Sequence, residues 1–130
     1  NIRRNNHGDG YLLLGDAAGL VDPFTGEGIG NALESGKIAA DAISSAKAIN
    51  DFSKKYLSTY DRNLWGYLGS ELDTSTKLLK LANHKILLNF VIDRASRNDK
   101  VRNVISGMLA NEVPKTELSN PLFYIKTLFS

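Results

Sequence analysis

Five glycines and one proline fall between positions 15 and 30, and this density constrains the local fold more than any other feature of the sequence. The residues are Gly15, Gly19, Pro23, Gly26, Gly28 and Gly30. A regular helix or strand does not tolerate so many residues of these types, so the segment predicts a shaped loop. Residues 11–14 form a short apolar run bounded by glycines, which predicts a buried strand before the loop.

A helix is predicted directly after the loop, from Gly28 to about Ile49. Apolar or small residues recur there at alternating steps of four and three, namely Ile29, Leu33, Gly36, Ala40 and Ile43. This spacing places them on one stripe of the helix, which we expect to be its buried face.

The remainder of the chain is predicted to be helical, after a cap at Asn50 and Asp51. One amphipathic helix carries Phe52, Tyr56, Tyr60, Leu64, Tyr67 and Leu68, and a second carries Leu72, Leu78, Leu79, Leu81 and Ala82. A third covers residues 86–95, a fourth follows a cap at Asn98, and a last short helix over 122–129 follows Pro114 and Pro121. The predicted fold class is an α/β fragment, predominantly α, with a strand–loop–helix part over 1–50 and a helical region over 51–130.

Composition excludes several classes of function. The formal net charge of +2 is too small for a typical nucleic-acid-binding domain, and the absence of cysteine excludes disulfides, zinc–thiolate sites and cysteine nucleophiles. His7 in a predicted turn and His84 between predicted helices are the two histidines, and they form no metal-binding pattern. No apolar run approaches the ~20 residues that span a bilayer. The acidic residues outnumber the basic ones over 1–50, and the reverse holds over 51–130.

Asp16 is the first candidate for a ligand-binding residue. It follows the predicted strand at the mouth of the loop, where open α/β folds place ligand contacts, and its carboxylate can accept hydrogen bonds from ligand hydroxyls. The N–H groups at the start of the next helix favour an oxygen or a negative charge. For Asp22 and Glu27 we expect a solvated rim or a contact with the helix end, and the first-turn position of Glu27 favours the latter for that residue. A contact of either residue with substrate or flavin is the functional alternative. On the glycines alone, a tightly packed turn without a ligand is an equally good interpretation.

The run from position 15, G-D-A-A-G-L-V-D-P-F-T-G-E-G-I-G-N-A, resembles the second FAD-binding motif of the para-hydroxybenzoate-hydroxylase-like flavoproteins, G-D-A-A-x-x-x-x-P-x-x-G-x-G-x-N-x-A. The resemblance implies that Asp16 binds the ribityl chain, that Pro23 lies beside the flavin ring, and that backbone N–H groups meet the pyrimidine edge. It also implies that Asn31 closes the ring pocket or caps the helix. The cofactor-binding residues implied in this way are Gly15, Asp16, Pro23, Gly26, Gly28, Ile29, Gly30 and Asn31.

The chain departs from the hydroxylase pattern at Gly19, at Glu27 and at Ser35 with Gly36. At these positions it is similar to the geranylgeranyl reductase family. That resemblance implies hydride transfer from reduced FAD to prenyl double bonds of a lipid, pigment or quinone. The implied electron donor is NADPH or ferredoxin-like, and no catalytic side chain can be assigned. An FAD-dependent monooxygenase or dehydrogenase with the same loop, or a non-catalytic helical interaction module, remains an alternative.

The chain lacks a G-x-G-x-x-G fingerprint for the dinucleotide pyrophosphate, so we expect it to be the C-terminal part of a longer flavoenzyme. Alone, it is expected to bind FAD poorly and to be inactive. The expected location is cytoplasmic, with a basic helical face suited to a peripheral contact with an anionic membrane. The aromatic residues Tyr56, Tyr60, Trp65 and Tyr67 favour a core, and a prenyl-chain tunnel is their functional alternative.

Overall fold

The computed structural model describes residues 3–110, apart from the side chains at positions 81, 87, 108 and 109. These residues form β1 His7–Gly8, β2 Tyr11–Leu12, a 3₁₀ turn Gly15–Ala18, α1 Ile29–Ile49, α2 Lys54–Ala82, α3 Lys85–Arg97 and α4 Asp99–Leu109. They fall into two compact units, 3–73 and 74–110, whose boundary lies within α2. The predominantly helical character is confirmed, whereas the FAD-binding fold and the domain division at residue 50 stay predictions.

The strands form a two-stranded antiparallel hairpin in which His7 pairs with Leu12 and Gly8 with Tyr11. The prediction of a buried strand over 11–14 is wrong. The strand ends at Leu12, and Tyr11 and Leu13 are 55% and 37% exposed. A hairpin strand of two residues turns one side chain inward, and here Leu12 packs against the core.

Helix α1 begins and ends where the sequence predicts. Asn50 terminates it in the left-handed conformation, with φ of 52°, and the Asn50 N–H donates to the Lys47 carbonyl. Asparagine tolerates this conformation better than most residues, which explains the cap.

The predicted buried stripe of α1 is wrong, because the helix packs through its small residues. Ile29 and Leu33 are 78% and 66% exposed. The buried positions, at steps of four, three and four, are Ser35, Ala39, Ala42 and Ala46. Small side chains allow another helix to approach closely. The size of the side chains, rather than their hydrophobicity, therefore determines which face of α1 is buried.

Helix α2 supplies most of the core of the first unit. Its buried side chains Leu57, Tyr60, Leu64, Leu68 and Leu72 recur at helical spacing. The cluster that they build with α1 and the loop consists of Ala18, Leu20, Ala39, Ala42, Tyr60, Leu64, Leu68 and Leu72. The prediction of two helices over this stretch is wrong, because α2 continues through Gly66 and Gly69. Each glycine costs about 1 kcal/mol in a helix, too little to end a well-packed one.

In the second unit, α3 and α4 pack against each other. The cap predicted at Asn98 is confirmed, since its Oδ1 accepts the N–H groups of Lys100 at 3.0 Å and Val101 at 3.4 Å. The predictions for Pro114, Pro121 and residues 122–129 lie outside the described residues.

Candidate functional site

The glycine loop begins at the 3₁₀ turn, which is fixed to α1. Gly15 begins the turn and Gly19 follows it, with φ of 54° and 70°, a conformation that favours glycine. A Cβ on Gly15 would lie 3.1 Å from the Ala32 Cβ, so a larger residue would crowd α1. The Gly15 N–H donates to Ser35 Oγ at 3.1 Å. One close approach and one hydrogen bond thus set the position of the turn.

Asp22 shapes the second half of the loop from inside. Its side chain is buried, and Oδ1 accepts the N–H groups of Phe24 and Thr25, both at 2.9 Å. The Asp22 carbonyl accepts the Gly26 N–H at 2.9 Å, and the Asp22 N–H donates to the Glu27 carbonyl at 2.7 Å. The prediction of a solvated rim at Asp22 is wrong, because the turn uses this carboxylate as its internal acceptor.

At the start of α1, some backbone N–H groups are not used as donors within the helix. Gly28 precedes the helix and offers no capping side chain. Glu27 Oε1 accepts the Gly30 N–H at 2.7 Å, which confirms the contact predicted between Glu27 and the helix end. The N–H groups of Ile29 and Asn31 have no acceptor inside the helix. A partial positive charge accompanies such donors.

Asn31 connects the helix to the loop. Its Nδ2 donates to the Leu20 carbonyl at 2.7 Å, so the predicted alternative of a helix cap is wrong. The asparagine of the FAD motif aligns one position earlier, where this chain has Gly30. The role of Asn31 in closing a ring pocket stays a prediction.

Asp16 places an exposed carboxylate beside the start of α1. Its Oδ1 lies 3.2 Å from where a Cβ on Gly28 would stand. Within residues 3–110, the carboxylate accepts no hydrogen bond from another side chain or from the backbone. The carboxylate lies next to the end of the helix that carries the partial positive charge. The arrangement offers an acceptor to a ligand that carries hydroxyl groups.

The other predicted cofactor residues differ in surroundings. Pro23 is half-buried, whereas Ile29 is largely exposed. Gly26 has φ of 75°, and a Cβ there would meet no atom within 4 Å. Hydrogen bonds therefore join Gly15 and Gly28 to α1, Asp16 lies beside Gly28, and space remains around Gly26.

Two residues support the loop through contacts that were not predicted from the sequence, although the burial of Tyr60 in the core was predicted. Ser35 receives the Gly15 N–H, and Tyr60 donates its hydroxyl to the Leu13 carbonyl at 2.8 Å. Burial, and to a smaller extent the charge of Asp61, raise the pKa of Tyr60 to about 12, against the lowering effect of a hydrogen bond with Ser35. Ser35 lies four residues before Ala39 on the buried alanine face of α1, a spacing that would have marked it as buried.

His7 lies in β1 rather than in the predicted turn. Its Nδ1 is 2.6 Å from Asp61 Oδ2, and both groups are nearly buried. The Asp61 oxygens also accept the Asn6 N–H at 3.0 and 3.1 Å. These contacts fasten the hairpin to α2, which gives His7 a structural role. His84 is exposed and precedes α3.

Within residues 3–110, no group of three His, Asp or Glu side chains is placed to hold a metal ion. None of the four helices in that range combines the length and apolar character needed to cross a membrane.

Sequence comparison finds several relatives named digeranylgeranylglycerophospholipid reductase. The one from Methanoculleus marisnigri is 36% identical over 102 residues, which cover 78% of this chain and 24% of the relative. The one from Methanocella arvoryzae is 44% identical over 69 residues, 53% of this chain and 18% of the relative. The one from Methanococcus vannielii is 32% identical over 124 residues, 92% of this chain and 30% of the relative. No family model and no solved structure matches the chain.

The match to the Methanococcus vannielii protein extends over nearly the whole chain, beyond the glycine loop that carried the resemblance. The chain belongs to the geranylgeranyl reductase family. Its named relatives within that family are the digeranylgeranylglycerophospholipid reductases. It spans about a quarter of the length of these curated relatives.

Proposed function

We propose that the chain is the C-terminal part of an FAD-dependent oxidoreductase that reduces double bonds in the prenyl chains of a lipid. The observation that carries the proposal is the exposed Asp16 carboxylate, held beside the donor-bearing start of α1 without a partner in the described residues. The name of the relatives specifies a reductase of a digeranylgeranylglycerophospholipid, which supports the substrate class.

The residues present fit an FAD molecule. The ligand offers ribityl hydroxyls as donors and ring carbonyls as acceptors, and the loop offers a carboxylate and backbone N–H groups. Gly28 matters to this fit because a Cβ there would come 3.2 Å from Asp16 Oδ1 and 3.4 Å from Val21 Cγ2. A side chain at position 28 would therefore occupy the space in front of the carboxylate.

Bound FAD would supply the hydride for reduction of a carbon–carbon double bond. Asp16 would orient it by accepting hydrogen bonds from the ribityl hydroxyls. The free N–H groups and the positive end of α1 would stabilise negative charge at the pyrimidine edge, in a geometry already fixed by the fold. Pro23 would exclude water on one side of the ring. No side chain of this chain is assigned as a proton donor.

The proposed substrate is a prenyl lipid, and a pigment or a quinone with a prenyl chain is the nearest variant. NADPH or a ferredoxin-like protein is the proposed electron donor. A peripheral contact with an anionic membrane would bring such a substrate to the enzyme.

FAD affinity tests the site. In the longer protein that contains this chain, Asp16→Ala should weaken FAD binding by roughly 10- to 100-fold, because a hydrogen bond to a charged group contributes about 1.5–3 kcal/mol. Asp41→Ala is the matched control, since Asp41 is an exposed aspartate on α1. Quenching of FAD fluorescence measures both. Equal affinities of wild type and Asp16→Ala would remove the role assigned to Asp16.

Mass spectrometry of a geranylgeranyl lipid after turnover tests the reaction. Reduction should add two hydrogens per double bond when reduced FAD is supplied. Oxygen consumption with an aromatic substrate would instead indicate the monooxygenase alternative. A longer protein that purifies colourless and does not quench FAD fluorescence would overturn the flavoenzyme proposal and favour the interaction module.

A further inference from the structure

A shallow groove of about 410 Å³ in the first unit carries an excess of positive charge. Arg3, Arg4 and Arg62 contribute its charged side chains, together with Asp61 and the ring of Trp65. None of the cofactor residues proposed above lines this groove, and the Arg4 guanidinium also lies beside the glycine loop, 3.2 Å from where a Cβ on Gly19 would stand. The volume is in the range of small-ligand pockets, and it exceeds what a phosphate group fills.

The negative charge of Asp61 is already satisfied inside the protein. Its two oxygens accept the Asn6 N–H, and His7 Nδ1 contacts one of them at 2.6 Å. Asp61 therefore competes little for the arginines around it.

The arginines differ in how they are held. Arg3 pairs with Asp73 at 2.5 Å, and both side chains are about half exposed, so the pair contributes little stability and can exchange partners. Arg4 and Arg62 are exposed and have no acidic partner within residues 3–110. Two arginines without an acidic partner in residues 3–110, and a third in a weak pair, thus line one groove.

Trp65 gives the groove a fixed wall. Its Nε1 donates to the Arg4 carbonyl at 3.3 Å, and the Arg3 guanidinium lies 5.9 Å from the ring centre. Gly66, next to Trp65, contributes no side chain, and a Cβ built there would meet no atom within 4 Å. The groove is consequently open above the arginines.

We propose that this groove binds a phosphate group through Arg4 and Arg62, with Arg3 recruited from its pair with Asp73. Guanidinium groups bind phosphate oxygens through two parallel N–H donors, which distinguishes phosphate from a halide ion. The phosphate belongs either to a small soluble ester or to the head group of a lipid, and the experiment separates these sources.

Trp65 is the single tryptophan of the chain and reports directly on the groove. Its fluorescence in the 130-residue chain should change saturably with inorganic phosphate at constant ionic strength, and sodium chloride should not reproduce the change. Arg4→Gln and Arg62→Gln should each raise the half-saturating concentration about tenfold. Arg97→Gln, at an exposed arginine of α3, should leave it unchanged.

Substitutions at Gly66 separate charge from folding. Gly66→Glu places a carboxylate beside the groove and should abolish the phosphate response, whereas Gly66→Gln has the same size and should retain it. Both should preserve helicity by circular dichroism, since glycine is the weaker helix former. An identical phosphate response in Gly66→Glu and Gly66→Gln would overturn the proposal.

Vesicles of phosphatidylcholine containing phosphatidic acid identify the source. Sedimentation with these vesicles, absent with phosphatidylcholine alone and released by inorganic phosphate, would assign the groove to a lipid head group. Saturable binding of inorganic phosphate without vesicle binding would assign it to a soluble ester. A wild-type response to phosphate no larger than that to chloride would overturn the proposal in either form.

Discussion

Replacement of Ser35 by alanine should destabilise the first unit more than an ordinary serine-to-alanine change in a helix. The Ser35 hydroxyl donates to the Ala32 carbonyl at 2.7 Å and accepts the Gly15 N–H at 3.1 Å. The Ser35 side chain is buried, and so is Gly15. The variant therefore leaves a buried N–H without its acceptor, which costs about 1–3 kcal/mol.

Ser45→Ala is the matched control for this loss. Ser45 lies on the same helix and its Oγ also donates to a backbone carbonyl, that of Asp41 at 2.9 Å, but Ser45 is exposed. Both variants lose a hydroxyl bonded to the preceding turn of α1, and only Ser35→Ala loses the acceptor for the Gly15 N–H. The difference between them reports the buried contacts of the Ser35 hydroxyl, which are those with the Gly15 N–H and with Tyr60.

Urea unfolding followed by Trp65 fluorescence measures the difference in the first unit. With a denaturant slope of about 1–3 kcal/mol per molar, a loss of about 2 kcal/mol lowers the midpoint by roughly 1 M. Ser45→Ala should change it little. Midpoints of Ser35→Ala and Ser45→Ala that agree within about 0.2 M would refute the reasoning, because they would show that Gly15 gains nothing from Ser35.

Two further predictions concern buried groups of α2. The raised pKa of Tyr60 means that the folded protein favours the neutral phenol, so stability should fall as pH rises from 10.0 towards about 12. Absorbance at alkaline pH should show one tyrosine that ionises near pH 12. Tyr60→Phe, which also loses the hydrogen bond to the Leu13 carbonyl, should remove this ionisation. An unchanged absorbance titration in the variant would contradict the assignment. Asp61→Asn should lower the free energy of unfolding by about 1–3 kcal/mol, because an amide cannot replace all the buried hydrogen-bond contacts that the Asp61 carboxylate makes with Asn6 and His7. Asp73→Asn, in an exposed pair, should cost under about 1 kcal/mol, and equal midpoints in urea would refute the contrast.

The bounds of α1 could be predicted from the sequence, because they depend on local signals. Gly28 before the helix and Asn50 after it act within one turn of the backbone. The buried face could not be predicted in the same way. Ile29 and Leu33 are the more hydrophobic residues, yet the alanine face packs in the core, since the separation of α1 from its neighbours sets the volume allowed.

In the candidate site, too, local features could be predicted from the sequence and long-range contacts could not. The motif located Asp16 and the glycines, because the loop is encoded by consecutive residues. The contacts of Ser35, Tyr60 and Asp61 escaped prediction because they join residues 20 to 55 positions apart, and no sequence periodicity carries that information. Asp22 was misassigned for a related reason, since an acidic residue in a loop is usually solvated and this one accepts two backbone N–H groups.

The inward carboxylate of Asp22 also has a kinetic consequence. A loop that satisfies its own N–H groups holds its shape before a ligand arrives, so association does not pay the entropy of ordering that segment. Amide order parameters of Phe24 and Thr25 should then resemble those of α1 even without a ligand. With a loop that is rigid before binding, no slow folding step limits the association rate. Differences in affinity between ligands would then arise mainly from the dissociation rate of each complex.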